Sequence, residues 1–202
     1  MPLLVDNGIP AEMKLILASS SPYRRELLQR LHLPFTWESP AIDESRRADE
    51  TAETLVQRLA QEKATAIRDK MPDAWVIGAD QLVRCGQELL GKSGNAEQAF
   101  AQLQTMQGNC VEILNGLCLL GPEKSTQVEL IPYRVFLRKL SEEEIWRYIE
   151  KERPFDCAGS LRAEGLGICL IDRMEGEDPN AIIGLPLIRL SAMLRKSGFV
   201  LP

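Results

Sequence analysis

Apolar residues in the first half of the chain follow strand-like and helix-like spacings in turn. Short apolar runs at residues 15–18 and 75–79 have the length of buried strands, and residues 34–38 alternate between apolar and polar positions. Between these strands, apolar residues recur at helical spacing after a run of serines and again over residues 54–68. Strands that alternate with helices in this way are typical of an α/β fold.

The second half of the chain adds longer strand patterns. Residues 111–120 are almost continuously apolar, and residues 127–140 alternate, which predicts a strand antiparallel to a neighbour. A glycine-rich loop then leads to a predicted strand at residues 168–171. Helices are expected at residues 95–106, 141–152 and 185–198. The predicted fold class is therefore α/β, with a mixed, partly antiparallel sheet flanked by helices.

The regular pattern begins at Met13, which divides the chain into two parts. Residues 13–202 are expected to form a single domain, because they are long enough to bury a substantial core. Residues 1–12 are predicted to be a loosely ordered extension.

Composition and charge narrow the possible partners. The 202-residue chain carries a formal net charge of −5, which argues against a nucleic-acid polymer as its main partner. Its apolar runs are shorter than the ~20 residues that span a membrane, and its first residues lack the features of a signal peptide. The five cysteines are scattered without a C-x-x-C pair, so we expect reduced thiols in a cytoplasmic protein.

A single histidine, His32, limits the acid–base chemistry that is open to the chain. Its position in LHLP indicates the end of the first helix, so a Ser-His-Asp triad or a His-rich metal site is not favoured. Acid–base and metal chemistry would then depend on carboxylates.

The turn after the first strand has the composition of a phosphate-binding site. Ser19 and Ser21 precede Pro22 where a helix should begin, and Arg24 and Arg25 follow in its first turn. Free backbone N–H groups, the positive end of the helix dipole and two guanidinium groups would meet there, as binding of a polyanion requires. A capped helix with two solvated arginines is the alternative interpretation.

Four charged residues elsewhere are candidates for the same chemistry. Asp80 ends the second buried run, and ligands of α/β sheets bind at strand ends. The sequence leaves open whether residues 82–84 continue this strand to a turn at residues 85–87. Glu44 lies in an acidic loop, Lys63 in the second helix and Lys92 directly after a glycine. Each also fits an ordinary solvated side chain. The chain has neither a P-loop nor a Rossmann glycine pattern, so phosphate binding would depend on individual Arg and Lys side chains.

Taken in order, these stretches resemble the Maf family of nucleoside triphosphate pyrophosphatases. The matching segments are LILASSSPYRRELL, DES, AQEKA, IGADQ and GK, followed downstream by LSEEEIWRYIEKERPFDCAGSLRAEGLG and IIGLPL. The resemblance covers the chain from Met13 to the last helix. It implies two lobes with a central cleft, a divalent metal ion (Mg²⁺ or Mn²⁺) and a homodimer.

The resemblance also implies a role for each charged residue. Asp80 would be the catalytic base that accepts a proton from the attacking water. Glu44 would hold the metal ion, and Asp80 would be close enough to share it. The residues that would bind the triphosphate are Ser19, Ser21, Arg24, Arg25, Lys63 and Lys92. Neighbouring helical residues diverge by about 100°, so the sequence leaves open which arginine faces the phosphates.

The residues at three positions resemble those of the family members that act on 7-methyl-GTP: Tyr23, Gln81 and Glu164. Methylation of N7 makes guanine cationic, so an aromatic face and a negative charge suit the base. Tyr23 would stack on the ring, and Glu164 would accept hydrogen bonds from N1–H and the exocyclic amine. The expected reaction converts 7-methyl-GTP and water to 7-methyl-GMP and diphosphate.

Two other functions are compatible with the same residues. The first is a pyrophosphatase that acts on dTTP, UTP or other nucleotides. The second, which the family resemblance implies, is a non-catalytic nucleotide-binding regulator of cell division. A base, a metal ligand and two lysines favour an enzyme, because binding alone would not require the base.

Overall fold

The structure is a computed structural model that describes residues 13–202, except for the side chain of Lys124. The extension predicted for residues 1–12 lies outside the described residues. No helix in the described part of the chain is both long enough and apolar enough to cross a membrane.

The first half of the chain alternates strands and helices, as predicted. The elements are β1 (Lys14–Ala18), α1 (Pro22–Gln29), β2 (Thr36–Glu38), α2 (Ala52–Arg68), β3 (Ala74–Cys85) and β4 (Glu88–Leu90). Ser21 and Thr51 cap α1 and α2 by accepting hydrogen bonds from the backbone N–H groups of Arg24 and Thr54.

The second half of the chain contains the other strands and helices. The elements are α3 (Ala96–Met106), β5 (Cys110–Leu120), β6 (Thr126–Leu137), α4 (Glu142–Glu152), β7 (Ile171–Glu175) and α5 (Leu187–Lys196). Ser141 and Glu144 form the predicted capping box at the start of α4. Within residues 13–202, the strands form a seven-stranded sheet in the order β2-β1-β3-β5-β6-β7, with β4 paired to β3. The predicted α/β class with a mixed sheet is confirmed.

The chain divides into two compact units. The first contains the described part of Met1–Asp80 together with Asn115–Ile131 and Gly184–Pro202. The second contains Gln81–Leu114 and Pro132–Ile183. Strands β3, β5 and β6 each contribute residues to both units.

In the first unit, α2 covers a sheet in which β1, β2 and β3 run parallel. Strand β1 lies between β2 and β3 and is parallel to both. Glycines allow α2 to approach very closely, because a Cβ atom on Gly78 would lie 2.0 Å from the carbonyl oxygen of Ala60. A Cβ atom on Gly116 would likewise lie 2.0 Å from the carbonyl oxygen of Val56. This close contact fixes α2 against the sheet residues that lead to Asp80.

The second unit contains two antiparallel strand pairs. Strands β3 and β4 form a hairpin, and β7 pairs with β6. Helices α3 and α4 contact each other through Phe100 and Trp146, whose stacked rings lie 4.7 Å apart between centroids.

Two details differ from the sequence-based predictions. Asp80 does not end a strand, because β3 follows the continuation that the sequence leaves open for residues 82–84 and runs to Cys85, where it pairs with β4. The predicted strand at residues 168–171 is wrong, since Leu166–Leu170 forms a 3₁₀ turn and β7 begins at Ile171. A local hydrogen bond from Ile168 N–H to the carbonyl of Gly165 closes this turn, which the apolar run alone could not indicate.

Candidate active site

Asp80 and Lys63 form a buried ion pair in the first unit. The Lys63 Nζ atom lies 2.6 Å from Asp80 Oδ1, and the two side chains are only 9% and 8% exposed. Lys63 lies on α2 between Ala60 and Ala64, which are both completely buried against the sheet. The small residues on this face of α2 bring the lysine stem close enough for its ammonium group to reach β3.

Glu44 adds a second carboxylate to the same ammonium group. Its Oε1 atom lies 3.0 Å from Lys63 Nζ, and its side chain is 58% exposed. It lies in the acidic loop before α2, where the Asp43 carboxylate accepts hydrogen bonds from the backbone N–H and hydroxyl of Ser45. Asp80, the proposed catalytic base, and Glu44, the proposed metal ligand, therefore both contact the ammonium group of Lys63.

The two arginines of α1 have different surroundings. Arg24 Nε donates to the carbonyl of Gly184 at 2.9 Å, and its Nη1 donates to the carbonyl of Ala79 at 2.8 Å. Arg25 instead lies over the ring of Trp37, 4.8 Å from its centroid. Arg24 is therefore the arginine held next to the strand residue that precedes Asp80, and its guanidinium group bonds two backbone carbonyls.

The serines form the predicted turn at the start of α1. Ser19 is buried, and its hydroxyl accepts a hydrogen bond from Ser21 N–H at 3.1 Å. The Ser21 hydroxyl caps the helix by accepting from Arg24 N–H at 3.4 Å. Tyr23 is partly buried in the first turn. The predicted helix cap is present, but the two arginines are not the solvated pair of the alternative interpretation. The phosphate-binding role of the turn stays a prediction.

Burial and charge act in opposite directions on this cluster. Burial raises the pKa of Asp80, although the positive charges of Lys63 and Arg24 oppose the shift. Burial lowers the pKa of Arg24, and the negative charges of Asp80 and Glu44 oppose that shift. A carboxylate with a raised pKa is a better proton acceptor, as a general base requires.

The donor set at this cluster suits a magnesium or manganese ion. Within residues 13–202, no three Asp, Glu, His or Cys side chains are grouped as a metal site. However, Mg²⁺ commonly uses one or two carboxylates and completes its shell with water and substrate phosphate oxygens. Glu44 and Asp80 offer two such carboxylates, and the ammonium group of Lys63 already shows that they attract a cation.

Two other predicted site residues belong to the second unit. Gln81 Nε2 donates to the carbonyls of Ala181 and Ile182 at 2.9 and 3.1 Å, which uses both of its amide hydrogens. Gln81 is therefore left with only its amide oxygen to accept a hydrogen bond from a nucleobase. Lys92 is exposed after β4, where its backbone forms an isolated bridge with Ala158.

Glu164 lies on a turn of the second unit that α4 holds in place. Glu152 accepts hydrogen bonds from Arg162 Nη1 at 3.0 Å and from Leu166 N–H at 2.6 Å. The Tyr148 hydroxyl accepts from Arg162 N–H at 2.9 Å. Glu164 Oε1 lies 3.7 Å from Arg162 Nε. A positive charge therefore lies beside the carboxylate that is proposed to recognise guanine.

A network beside the cluster was missed by the sequence analysis. Arg58, on α2, forms ion pairs with Glu50 at 2.6 Å and with Glu62 at 2.8 Å. The only signal in the sequence was the i,i+4 spacing of Arg58 and Glu62, which is common on exposed helix faces.

Comparison with known proteins agrees with the resemblance found in the sequence. The family model described as "Maf-like protein" matches residues 14–197. A protein of Pseudomonas aeruginosa named 7-methyl-GTP pyrophosphatase is 51% identical over 189 residues, covering 93% of this chain and 98% of its own. A protein of Nitrosococcus oceani with the same name is 49% identical over 193 residues, covering 94% and 96%.

Solved structures resemble this chain more distantly. The Staphylococcus aureus Ham1 protein aligns with a TM-score of 0.44 and 15% identity, covering 61% of this chain and 71% of its own. The extent of the family match and the identity to full-length relatives establish the relationship without it. The chain therefore belongs to the Maf family.

Proposed function

We propose that this Maf-family protein is a pyrophosphatase that hydrolyses 7-methyl-GTP to 7-methyl-GMP and diphosphate. The observation that supports the chemistry is the buried Asp80 carboxylate, which shares Lys63 with Glu44. The substrate is inferred from relatives named 7-methyl-GTP pyrophosphatase that align over nearly their whole length.

Asp80 acts as the general base. Water attacks the α-phosphorus, its oxygen forms the new P–O bond, and Asp80 accepts its proton. The bond from the α-phosphorus to the oxygen that bridges to the β-phosphorus breaks, and diphosphate leaves with that oxygen. A positioned general base contributes about 10²–10⁴-fold to the rate.

Glu44 would hold a divalent ion, Mg²⁺ or Mn²⁺, and Asp80 would share it. Such an ion neutralises charge that develops on the phosphate oxygens. Lys63 and Arg24 add fixed positive charge beside Asp80. Ser19, Ser21, Arg25 and Lys92 complete the proposed phosphate-binding set.

The methylated guanine of the substrate is recognised by an aromatic ring and a negative charge. Tyr23 stacks on the methylated guanine, a contact worth about 1–3 kcal/mol in other base–aromatic pairs. Glu164 accepts from the N1–H and amine groups and attracts the cationic ring, while Gln81 contributes its amide oxygen. The charge of Arg162 beside Glu164 reduces this attraction.

The remaining parts of the proposal concern the state of the protein in the cell. We expect a cytoplasmic homodimer. All five cysteines are free thiols, as suits a reducing compartment.

A panel of triphosphates tests this function directly. Diphosphate release is measured with 7-methyl-GTP, GTP, dTTP and UTP, each with Mg²⁺ or Mn²⁺. We expect the highest kcat/KM for 7-methyl-GTP and a loss of at least 10²-fold in the Asp80→Asn variant, which should still bind nucleotide. A preference for dTTP or UTP would contradict the substrate. Turnover of none of them would favour a non-catalytic nucleotide-binding protein.

A further inference from the structure

One guanidinium group fastens the loop that carries Glu44 to helix α2. Arg58 Nη2 donates to the carbonyl of Ser45 at 3.0 Å, directly after Glu44. Arg58 Nε and Nη2 lie 2.6 and 2.9 Å from the two carboxylate oxygens of Glu50. Its Nη1 atom donates to Glu62 at 2.8 Å, and the side chain is only 14% exposed. All three nitrogens of the fork are therefore engaged, and they bond in different directions.

Glu50 extends this anchor through the rest of the loop. Its carboxylate accepts from the backbone N–H of Arg47 at 3.1 Å, and its carbonyl accepts from Arg46 Nε at 2.8 Å. Arg58 thus holds the loop at Ser45 on one side and through Glu50 on the other. Glu44 itself is mostly exposed, so its carboxylate is placed by the backbone on which it stands.

Helix α2 carries both the residue that anchors the loop and the lysine that contacts Glu44. Arg58 and Lys63 lie five residues apart on α2, so one rigid element supplies the anchor of the loop and the ammonium group that contacts Glu44. Without the anchor, the loop would have to be ordered each time that Glu44 engages a cation, at a cost in conformational entropy.

We propose that Arg58 is a positioning residue for the metal site, because it fixes the loop that presents Glu44 beside Asp80. The inference rests on the proposed function in one respect, the assignment of Glu44 as metal ligand. Removing groups that orient metal ligands typically costs about 10–100-fold in metal affinity or activity.

The test compares Arg58→Ala with Arg68→Ala. Arg68 lies on the same helix and donates to the carbonyl of Gly121 at 3.0 Å, so it is matched in helix and bond type, but its bond goes to the residue that follows β5 and not to the Glu44 loop. Mn²⁺ is titrated into each protein without added phosphate or nucleotide, and free Mn²⁺ is followed by electron paramagnetic resonance. We expect about 10–100-fold weaker Mn²⁺ binding in Arg58→Ala and wild-type binding in Arg68→Ala.

Hydrogen exchange supplies a second measurement, which needs neither metal nor substrate. The backbone N–H groups of Ser45 and Arg47 donate to the carboxylates of Asp43 and Glu50, and they should exchange faster in Arg58→Ala than in Arg68→Ala. Arg58→Lys covers the case in which the alanine variant does not fold. It retains the stem and the charge, but one ammonium group cannot bond Ser45, Glu50 and Glu62 in the same directions, so it should also bind Mn²⁺ more weakly.

The outcomes separate this inference from the proposed function. Mn²⁺ binding by Arg58→Ala and Arg58→Lys equal to that of Arg68→Ala would overturn the positioning role, whatever the substrate proves to be. Failure of the wild-type protein to bind Mn²⁺ at all would overturn it together with the metal assignment. Mn²⁺ binding that depends on Arg58, in a protein that turns over no triphosphate, would support the inference and refute the proposed function.

Discussion

Lys63 contacts two carboxylates with a single ammonium group, and its closer contact, with Asp80, is buried away from water. Lys63 and Asp80 are each less than one-tenth exposed, whereas Glu44 is mostly in solvent. Removing one partner of a buried pair leaves a charge without compensation, and this costs more than the pair contributes when intact. The lysine is therefore expected to matter for stability as well as for phosphate binding.

Replacing Lys63 by methionine should lower the free energy of unfolding by about 3–5 kcal/mol, because Asp80 would be left buried without its nearest partner. Lys70→Met is a matched control, since Lys70 pairs with Glu38 at the surface, where its side chain is 59% exposed. An exposed pair contributes about 0–1 kcal/mol. Urea unfolding at pH 7 measures both variants. Equal losses of unfolding free energy in the two variants would show that burial does not increase the contribution of the Lys63–Asp80 pair to stability.

Glu164→Gln should shift selectivity away from 7-methyl-GTP. Glutamine keeps the size of the side chain, but it loses the negative charge and gains a donor facing the N1–H and amine groups of guanine. A lost charge-assisted hydrogen bond of about 1.5–3 kcal/mol corresponds to about a 10–100-fold fall in kcat/KM for 7-methyl-GTP. Glu150→Gln, on the exposed side of α4, is the control and should leave selectivity unchanged. Unchanged preference in Glu164→Gln would exclude this residue from base recognition.

At the scale of the elements, α2 supplies Lys63 and depends on two glycines for its position. Gly78 and Gly116 let its backbone approach the sheet to a distance that no side chain would permit. The geometry of the Lys63–Asp80 pair is therefore a consequence of the packing of a helix on a sheet.

Gly78→Ala should damage both stability and catalysis. The added methyl group would collide with the backbone of Ala60, so we expect overpacking to cost about 1–3 kcal/mol of unfolding free energy. The same displacement would move Lys63 away from Asp80, and misplacement by about 1 Å can lower kcat about 10²-fold. Gly91→Ala serves as the stability control, because nothing lies within 4 Å of its added Cβ atom. A Gly78→Ala protein as stable as Gly91→Ala would contradict the packing argument.

The ion pairs of the Glu44 loop should make stability depend on pH in the acid range. Hydrogen bonds from Arg58 lower the pKa of Glu50 to about 2. Because the folded state holds this carboxyl ionised, its contribution is complete above the unfolded pKa of about 4.5 and is lost as the pH falls towards 2. The unfolding free energies of wild type and Glu50→Gln should therefore differ most at pH 5 to 7 and converge by pH 2. A constant difference across this range would contradict the shifted pKa.

The elements that the sequence predicts well are those with local causes. The serine turn and α1, and the capping box of α4, are set by hydrogen bonds between residues three apart, which spacing reveals. The extension of β3 past Asp80 depends on pairing with β4, and the start of β7 depends on pairing with β6. The role of Arg58 was also not predicted, because its bonds to Ser45 and Glu50 join a helix to a loop, and the spacing of residues in the sequence does not indicate such contacts.

At the scale of the whole molecule, the charge balance of the chain differs from that of its candidate site. The chain as a whole carries a net charge of −5. The first unit nevertheless places Arg24 and Lys63 beside the carboxylates of Asp80 and Glu44, from four separate stretches of sequence. A local balance of this kind suits the proposed binding of a phosphate chain through a metal ion and fixed cations, while the acidic remainder disfavours polymeric nucleic acid.

The thiols offer a further test at the scale of the whole molecule, since the five cysteines are spread over both units and differ in exposure. Burial raises the pKa of Cys118 and Cys157 to about 12, and it also raises the pKa of Cys85 and Cys110. Cys169 is the exposed one. Because the thiolate is the reactive form, a disulfide reagent at pH 8 should modify Cys169 rapidly and the other four slowly.

Titration of the native protein with such a reagent should therefore show one fast thiol, and unfolding in guanidinium chloride should expose all five. Cys169→Ser removes the fast reaction if the assignment is correct. Two or more fast thiols in the native protein would mean that Cys110 or Cys157 is more accessible than its surroundings indicate. Unfolding by urea should give the same midpoint with and without reductant, because none of the five thiols is bonded to another.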